Sequence, residues 1–234
     1  MLEQTNNKTI AKNTLFLYLR MMFTMIVTLF TSRIILQKLG IDDYGIYQAV
    51  GGVVGFLSFI NGALSTGSSR FLTYAIGERN LEKLKRTFST TLNIHILIAI
   101  IVVILAETVG LWFLYNKMVI APDRMTAAVC TYHLSILTAV FSLTQVPYNA
   151  VIIAHERMSI YAYMSIFEVS AKLGICYLLT LVDYDKLILY ASLLFIVQLL
   201  VMLFYRLYCT KNFKEARFSM TFDEIVFKEI ARFS

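Results

Sequence analysis

Charge is scarce in this chain. Only 15% of its 234 residues are Asp, Glu, Lys or Arg, while 58% are hydrophobic. Soluble domains carry about 25% charged residues, and none of this length could bury so much apolar surface. That class is excluded. Cysteine is scarce as well. Cys130, Cys176 and Cys209 are scattered, odd in number and without metal-ligand spacing, so no disulfide framework or metal site is indicated. They read as small apolar packing residues. Catalytic motifs are missing: there is no H-E-x-x-H, C-x-x-C, Walker loop or G-x-S-x-G. Asp42, Asp43, Asp123, Asp183, Asp185 and Asp223 all fall outside the long apolar runs, which leaves no two-carboxylate catalytic pair inside them. An enzyme is not expected, nor is a cofactor or metal.

What the chain does contain is six long apolar runs: Leu15–Leu36, Tyr44–Phe71, Leu92–Leu114, Ala127–Ala154, Ser159–Leu181 and Leu187–Tyr208. About 20 apolar residues match the hydrocarbon thickness of a bilayer. The first run, as a helix, is about 33 Å long and crosses with slight tilt. Backbone groups cannot stay unpaired in lipid, so each run is expected to be helical. The first is too long for the apolar core of a signal peptide, contains Arg20 and Arg33, and lacks a small-residue cleavage site. It is expected to be retained as a span.

The connecting loops alternate in charge. The segments before run one and after runs two, four and six, counted with Arg70 and Arg206 at the ends of runs two and six, hold fourteen basic residues; the opposite loops hold four, Lys38, Lys117, Arg124 and Lys186. Cytoplasmic loops are the basic ones, so the N-terminus is expected in the cytoplasm. The net charge of +6 is then a matter of membrane orientation and does not call for nucleic acid as a partner.

Several features interrupt the apolar runs. Run two is rich in glycine, and Gly51 and Gly55 form a G-x-x-x-G. This fits close helix packing, or a helix that bends or slides. Run four carries Gln145, Pro147 and Asn149. Proline removes a backbone donor and kinks a helix, with polar neighbours able to re-satisfy freed groups; a substrate-facing hinge is the other reading. After run six, Phe222, Ile225, Val226, Ile230 and Phe233 share one helical face, and Thr221 with Glu224 forms a capping box. An amphipathic helix on the cytoplasmic surface is expected there.

Ionisable residues inside a span cost about 2.5–3.5 kcal/mol each on insertion scales. Arg20 and Arg33 either snorkel to headgroups or, for Arg20, face a wet cavity. His95 reads as a satisfied or interfacial histidine, with a proton relay as the other reading. Glu107 either bonds a neighbouring helix or titrates during transport. Glu168 and Lys172 stand four residues apart on one helical face of run five, in the favourable Glu-before-Lys order. They form a structural ion pair or a polar patch on a cavity wall. Ion coupling, if present, falls to Glu107 and Glu168.

The motifs carry a resemblance. Ser32-Arg33-Ile34-Ile35-Leu36 leads into Leu39-Gly40-Ile41-Asp42-Asp43-Tyr44-Gly45-Ile46-Tyr47 and Val50-Gly51-Gly52-Val53-Val54. Asn93-Ile94-His95, Ala106-Glu107-Thr108, Val146-Pro147-Tyr148-Asn149-Ala150 and Ala154-His155-Glu156-Arg157-Met158 follow. In this order they resemble bacterial polysaccharide flippases of the multidrug/oligosaccharidyl-lipid/polysaccharide exporter superfamily. The resemblance implies an all-α integral membrane fold: one six-transmembrane-helix lobe of a two-lobe, multidrug-extrusion-like transporter. Residues 1–14 would be a cytoplasmic N-terminus, 15–208 the lobe, and 209–234 a cytoplasmic linker leading to a second lobe beyond this chain. The implied function is to flip polyprenyl-pyrophosphate-linked oligosaccharide across the bacterial inner membrane by alternating access. Membrane lipids, a polysaccharide polymerase and glycosyltransferases would be partners. Arg20 and Lys172 would attract the anionic lipid-linked substrate, with Glu168, Asn61, Asn93, Gln145 and Asn149 also on the cavity wall, meeting sugar hydroxyls. Two rivals stand beside this reading: a cation-coupled multidrug exporter of the same fold, and a non-transporting scaffold for glycan assembly.

Overall fold

The computed structural model describes residues 2–217 except 79 and 183, with side chains from residue 11 onward except those of 53–65. The described residues are helical and contain no strand. α1 spans Leu2–Leu39, α2 Ile41–Gly77, α3 Leu81–Asn116, α4 Met125–Ala154, α5 Met158–Leu178 and α6 Lys186–Asn212, followed by a 3₁₀ turn at Lys214–Ala216. Each expected span except the fifth lies wholly inside its helix. The helices run past the apolar runs because polar caps carry them into the aqueous boundary. Asn80 accepts from the Lys83 amide at 3.0 Å at the start of α3, and Asp185 accepts from the Leu187 and Ile188 amides at 3.1 and 3.2 Å at the start of α6. The fifth helix ends at Leu178, three residues before the expected Leu181, as the backbone turns away toward Asp185. The amphipathic segment and capping box after residue 217 lie outside the described residues.

Six spans were expected. Among the described residues, four helical stretches are long and apolar enough to cross a membrane: Ala11–Leu39, Leu81–Asn116, Met125–Ala154 and Lys186–Asn212. α5 falls short because Glu168, Lys172 and its tyrosines dilute its apolar run.

α4 is the centre of the bundle, packed against α2, α3 and α6; α5 joins α1 to α6. A continuous core of Phe88, Leu92, Tyr148, Val151, Ile152, Leu187, Val201 and Tyr205 fills the space between them, with the Phe88 and Tyr148 rings edge to face at 5.3 Å. Pro147 is buried in α4, and the helix continues through it to Ala154. α1 is the least enclosed, with Leu15, Met21, Met25, Leu29 and Phe30 turned outward, as suits a chain whose surroundings are hydrocarbon.

α3 contains one π-turn, Ala106–Gly110. Its widened carbonyl is occupied: the Tyr132 hydroxyl of α4 donates to the Ala106 carbonyl at 2.7 Å. Gly110 makes room, since a Cβ there would collide with that hydroxyl.

Polar networks close both ends of the bundle. At one end Arg124, just before α4, forks across two carboxylates. Its Nε and Nη2 donate to Asp43 of α2 at 2.8 and 2.6 Å, and its Nη1 donates to Asp185 at 2.6 Å. At the other end His155, after α4, contacts Glu215 at 2.5 Å and stacks on Phe213 at 4.3 Å. Burial works against ionisation of Glu215, but His155 and nearby Lys85 outweigh it and hold the carboxyl below its ordinary range. These contacts place the α1–α2, α3–α4 and α5–α6 connections at one end, and the α4–α5 connection with the end of α6 at the other.

The Arg124 fork generates a prediction. Arg124→Ala leaves two carboxylates without their donor and is expected to cost about 1.5–3 kcal/mol, read as a lower Tm in detergent. Arg124→Lys restores little, because a point charge cannot serve two carboxylates bidentately. For Asp185, burial raises the carboxyl, yet hydrogen bonds from Arg124 and the Leu187 and Ile188 amides prevail and lower it. A lowered carboxyl contributes stability above its unfolded value, near 3.9, that is lost as pH falls through the lower folded value. The Tm gap between wild type and Asp185→Asn is therefore expected at pH 7 and should close on acidification into that range.

Candidate functional site: a polar cavity within the lobe

α5 presents Glu168 and Lys172 one turn apart, and they form an ion pair, Oε1 to Nζ at 2.6 Å. The pair is not packed away: the Lys172 side chain is 41% exposed and that of Glu168 29%. Both line a cavity of about 290 Å³ between four helices. α2 contributes Tyr47 and Gly51, α4 Ser135, Thr138 and Ser142, and α6 Ala191, Leu194 and Gln198. Ser135 and Thr138 donate to the carbonyls of Thr131 and Leu134, both at 2.8 Å. Their oxygens keep lone pairs toward the cavity. Lys172 retains donors beyond the one used on Glu168. The cavity can therefore both accept and donate.

Gly51 fills a different role from the close packing its spacing suggests. A Cβ at Gly51 would meet nothing within 4 Å, and the residue lies on the cavity wall. The surroundings of Gly55 and the side chain of Asn61 lie outside the described residues. Gln145 is buried behind the wall and accepts from Gln198 Nε2 at 3.1 Å. Asn149 is half-buried one turn on, and its Oδ1 has no hydrogen-bond partner in the described structure. Asn93 is half-buried on α3 and is not part of the cavity wall. Glu107 sits on the π-turn of α3, also away from the wall, 3.5 Å from His133 of α4. The two candidate coupling carboxylates, Glu107 and Glu168, thus occupy separate places.

Arg20 is half-buried against α5. Its Nη1 donates to the Tyr161 hydroxyl at 3.3 Å, and its guanidinium lies 4.7 Å from that ring's centre. Tyr161 stands on α5, the helix that carries Glu168 and Lys172 further along. Arg206 repeats the arrangement one interface away. Counting loop charge assigns it to the segment after run six, but it lies inside α6, half-buried. Its Nη2 donates to Thr144 at 3.2 Å, and its guanidinium lies 5.7 Å from the Tyr148 ring. The Nε of each arginine is buried without a hydrogen-bond partner. Gln198, Arg206 and His133 are the residues that sequence reasoning passes over. The intramembrane polarity that singles out Lys172 was available for each of them.

The decisive comparison is with protein-family models. The MatE model matches residues 15–178. The chain belongs to the MatE family. MatE proteins are membrane transporters, and this MatE chain is accordingly a multi-pass membrane protein. Its fold agrees. A solved MOP superfamily transporter from Pyrococcus furiosus Vc1 (DSM3638) superposes with a TM-score of 0.69 at 15% identity, over 94% of this chain and 50% of that one. That transporter is described as having a binding pocket of reverse polarity that suggests a different function. The MatE chain spans about half the length of this structural relative. No curated protein matches it.

The ion pair on the cavity wall can be tested directly. Lys172→Met leaves Glu168 facing the cavity alone, a charge whose insertion cost is about 2.5–3.5 kcal/mol. Membrane yield and Tm are expected to fall. Glu168→Gln combined with Lys172→Met removes both charges and should recover most of the loss, because a missing partner is worse than a missing pair.

Proposed function

We propose that this chain is the N-terminal lobe of a transporter that flips polyprenyl-pyrophosphate-linked oligosaccharide across the bacterial inner membrane. The observation that carries the proposal is Arg20: a guanidinium inside the bundle, held on the Tyr161 ring, with no carboxylate paired to it among the described residues. A cation kept in low dielectric without a counter-charge is strongly felt by an anion. Arginine presents a fork matched to phosphate oxygens. The nearby cavity adds hydroxyls, Gln198 and the ammonium of Lys172, groups suited to sugar hydroxyls. The lipid tail would remain in the bilayer. The lobe would rock against a second one, which residues 209–234 would reach as a cytoplasmic linker, in the manner of alternating access. In this arrangement the N-terminus faces the cytoplasm, where the glycosyltransferases that build the substrate would act, and the polymerase would act after flipping.

One observation favours a second reading. Glu168 is a carboxylate on the cavity wall, and a cation-coupled multidrug exporter would use such a group. The ion pair with Lys172 makes that wall neutral overall, so it offers a cationic drug no net attraction.

Arg20→Ala is expected to abolish surface polysaccharide and to accumulate lipid-linked units on the cytoplasmic side, with the protein still inserted. Unchanged surface glycan in a stably inserted variant would instead indicate a scaffold. Sodium- or proton-dependent ethidium export by the purified protein would establish the multidrug reading.

A further inference from the structure

The core of the lobe does not stop with α6. Phe213, Glu215 and Ala216, just after it, are buried, while Lys211, Lys214 and Arg217 among them are exposed. The segment thus turns its one carboxylate inward and its cations outward. Phe213 and Ala216 join the same core as Leu84 and Phe88 of α3. The 3₁₀ turn Lys214–Ala216 packs on α3, with Lys85 within electrostatic reach of Glu215.

A carboxylate is almost never fully buried unless it is paired. Glu215, 4% exposed, finds its partner across 60 residues of chain, where its Oε1 lies 2.5 Å from His155 Nε2. An ionised carboxylate only accepts, so Nε2 carries a proton and donates it. The Phe213 ring lies on the imidazole, centroids 4.3 Å apart and planes 14° from parallel, and Tyr208 meets Phe213 edge on. His155 and Glu215 both stand past the ends of the apolar runs, at Ala154 and Tyr208. Their contact therefore belongs to the aqueous boundary.

The turn that carries His155 is strained. Glu156, the next residue, has φ of 56°, the left-handed region that glycine normally fills at a helix end. Its amide donates to the Ile153 carbonyl at 2.9 Å, and that of Arg157 donates to Ile152 at 3.0 Å. On its α1 side, Asn13 Nδ2 donates to the Glu156 carbonyl at 3.5 Å. Strained backbone of this kind persists where the surroundings hold it from several sides, and it clusters at sites that switch.

We propose that Glu215 is a latch that fastens the segment after α6 to the strained α4–α5 turn, so that docking of the segment and the form of the turn are coupled and are released together. The carboxylate holds the imidazole, Phe213 covers it, and the left-handed Glu156 stores the tendency to open. The latch needs no assumption about the substrate. One consequence rests on the reading above: where the segment leads on to a second lobe, the hinge of the rocking motion lies beyond Arg217.

The test is amide hydrogen exchange of the full chain reconstituted in phosphatidylethanolamine–phosphatidylglycerol vesicles, followed in segments 153–158 and 213–217. Glu215→Leu fills the space without an acceptor, and Glu215→Gln keeps an acceptor for His155 Nε2. Glu215→Leu is expected to speed exchange in both segments at least about tenfold, the opening expected from losing one charge-assisted hydrogen bond. Glu215→Gln should stay closer to wild type. Glu156→Gly, added to Glu215→Leu, relieves the strain and should slow segment 153–158 again while 213–217 stays fast. Faster exchange in 213–217 with 153–158 unchanged would overturn the coupling. Equal behaviour of the Leu and Gln variants would reduce Glu215 to a space filler and overturn the latch. Should Glu215→Leu fail to insert, His155→Phe, which keeps a ring on Phe213 and loses the donor, must speed exchange in both segments; no change there overturns the proposal as well.

Discussion

The fork of Arg124 is the interaction on which the bundle's geometry rests. It stands at the start of α4, and its two carboxylate partners stand at the starts of α2 and α6. These three helices are three of the four walls of the cavity. Within hydrocarbon, helices gain little from burying apolar faces against one another, because lipid tails are as apolar as leucine. Their mutual placement is set by close packing and by polar contacts at the ends. Arg124 fixes one end through directional, charge-assisted bonds, and His155 with Glu215 and Phe213 closes the other. Between them α5 is free to carry polar groups that would be costly elsewhere.

Several polar side chains inside the bundle are matched to another polar side chain: Lys172 has Glu168, Gln198 has Gln145, and Glu107 has His133. The arginines are held differently. Arg20 and Arg206 rest on tyrosine rings and make one hydrogen bond each to a hydroxyl. A tyrosine face and hydroxyl stabilise a guanidinium without neutralising it. Among the described residues the lobe therefore holds two guanidinium groups without a paired carboxylate, apart from the Lys172–Glu168 pair on the cavity wall.

Much of this was legible in the chain. The six apolar runs located the helices, since length and apolarity are local properties. Five of the six runs sit inside their helices, and the fifth overshoots because Leu179 and Leu181 are apolar yet lie past the end of the helix. The spacing of Glu168 and Lys172 predicted their contact, because four residues on a helix is a fixed geometry. The motifs from Leu39 to Tyr47 pointed to the right superfamily. The spacing of Gly51 fits close packing or a helix that bends or slides, and its place on an open wall is not legible, because spacing cannot distinguish a glycine that admits a neighbouring helix from one that leaves a void.

Single segments carry what is local: a helical membrane protein, the approximate span ends, and most of the charges inside spans, Arg206 being counted with a loop although it lies in α6. Those follow from hydropathy and helical repeat, which act over a few turns. Which polar groups meet is settled by how the helices are assembled. Arg124 reaches Asp43 and Asp185 across 81 and 61 residues of chain, Glu107 reaches His133 from another helix, and Arg206 reaches Thr144 across 62. Such pairings are set by how helices are ordered and rotated about one another, and no local pattern encodes that rotation.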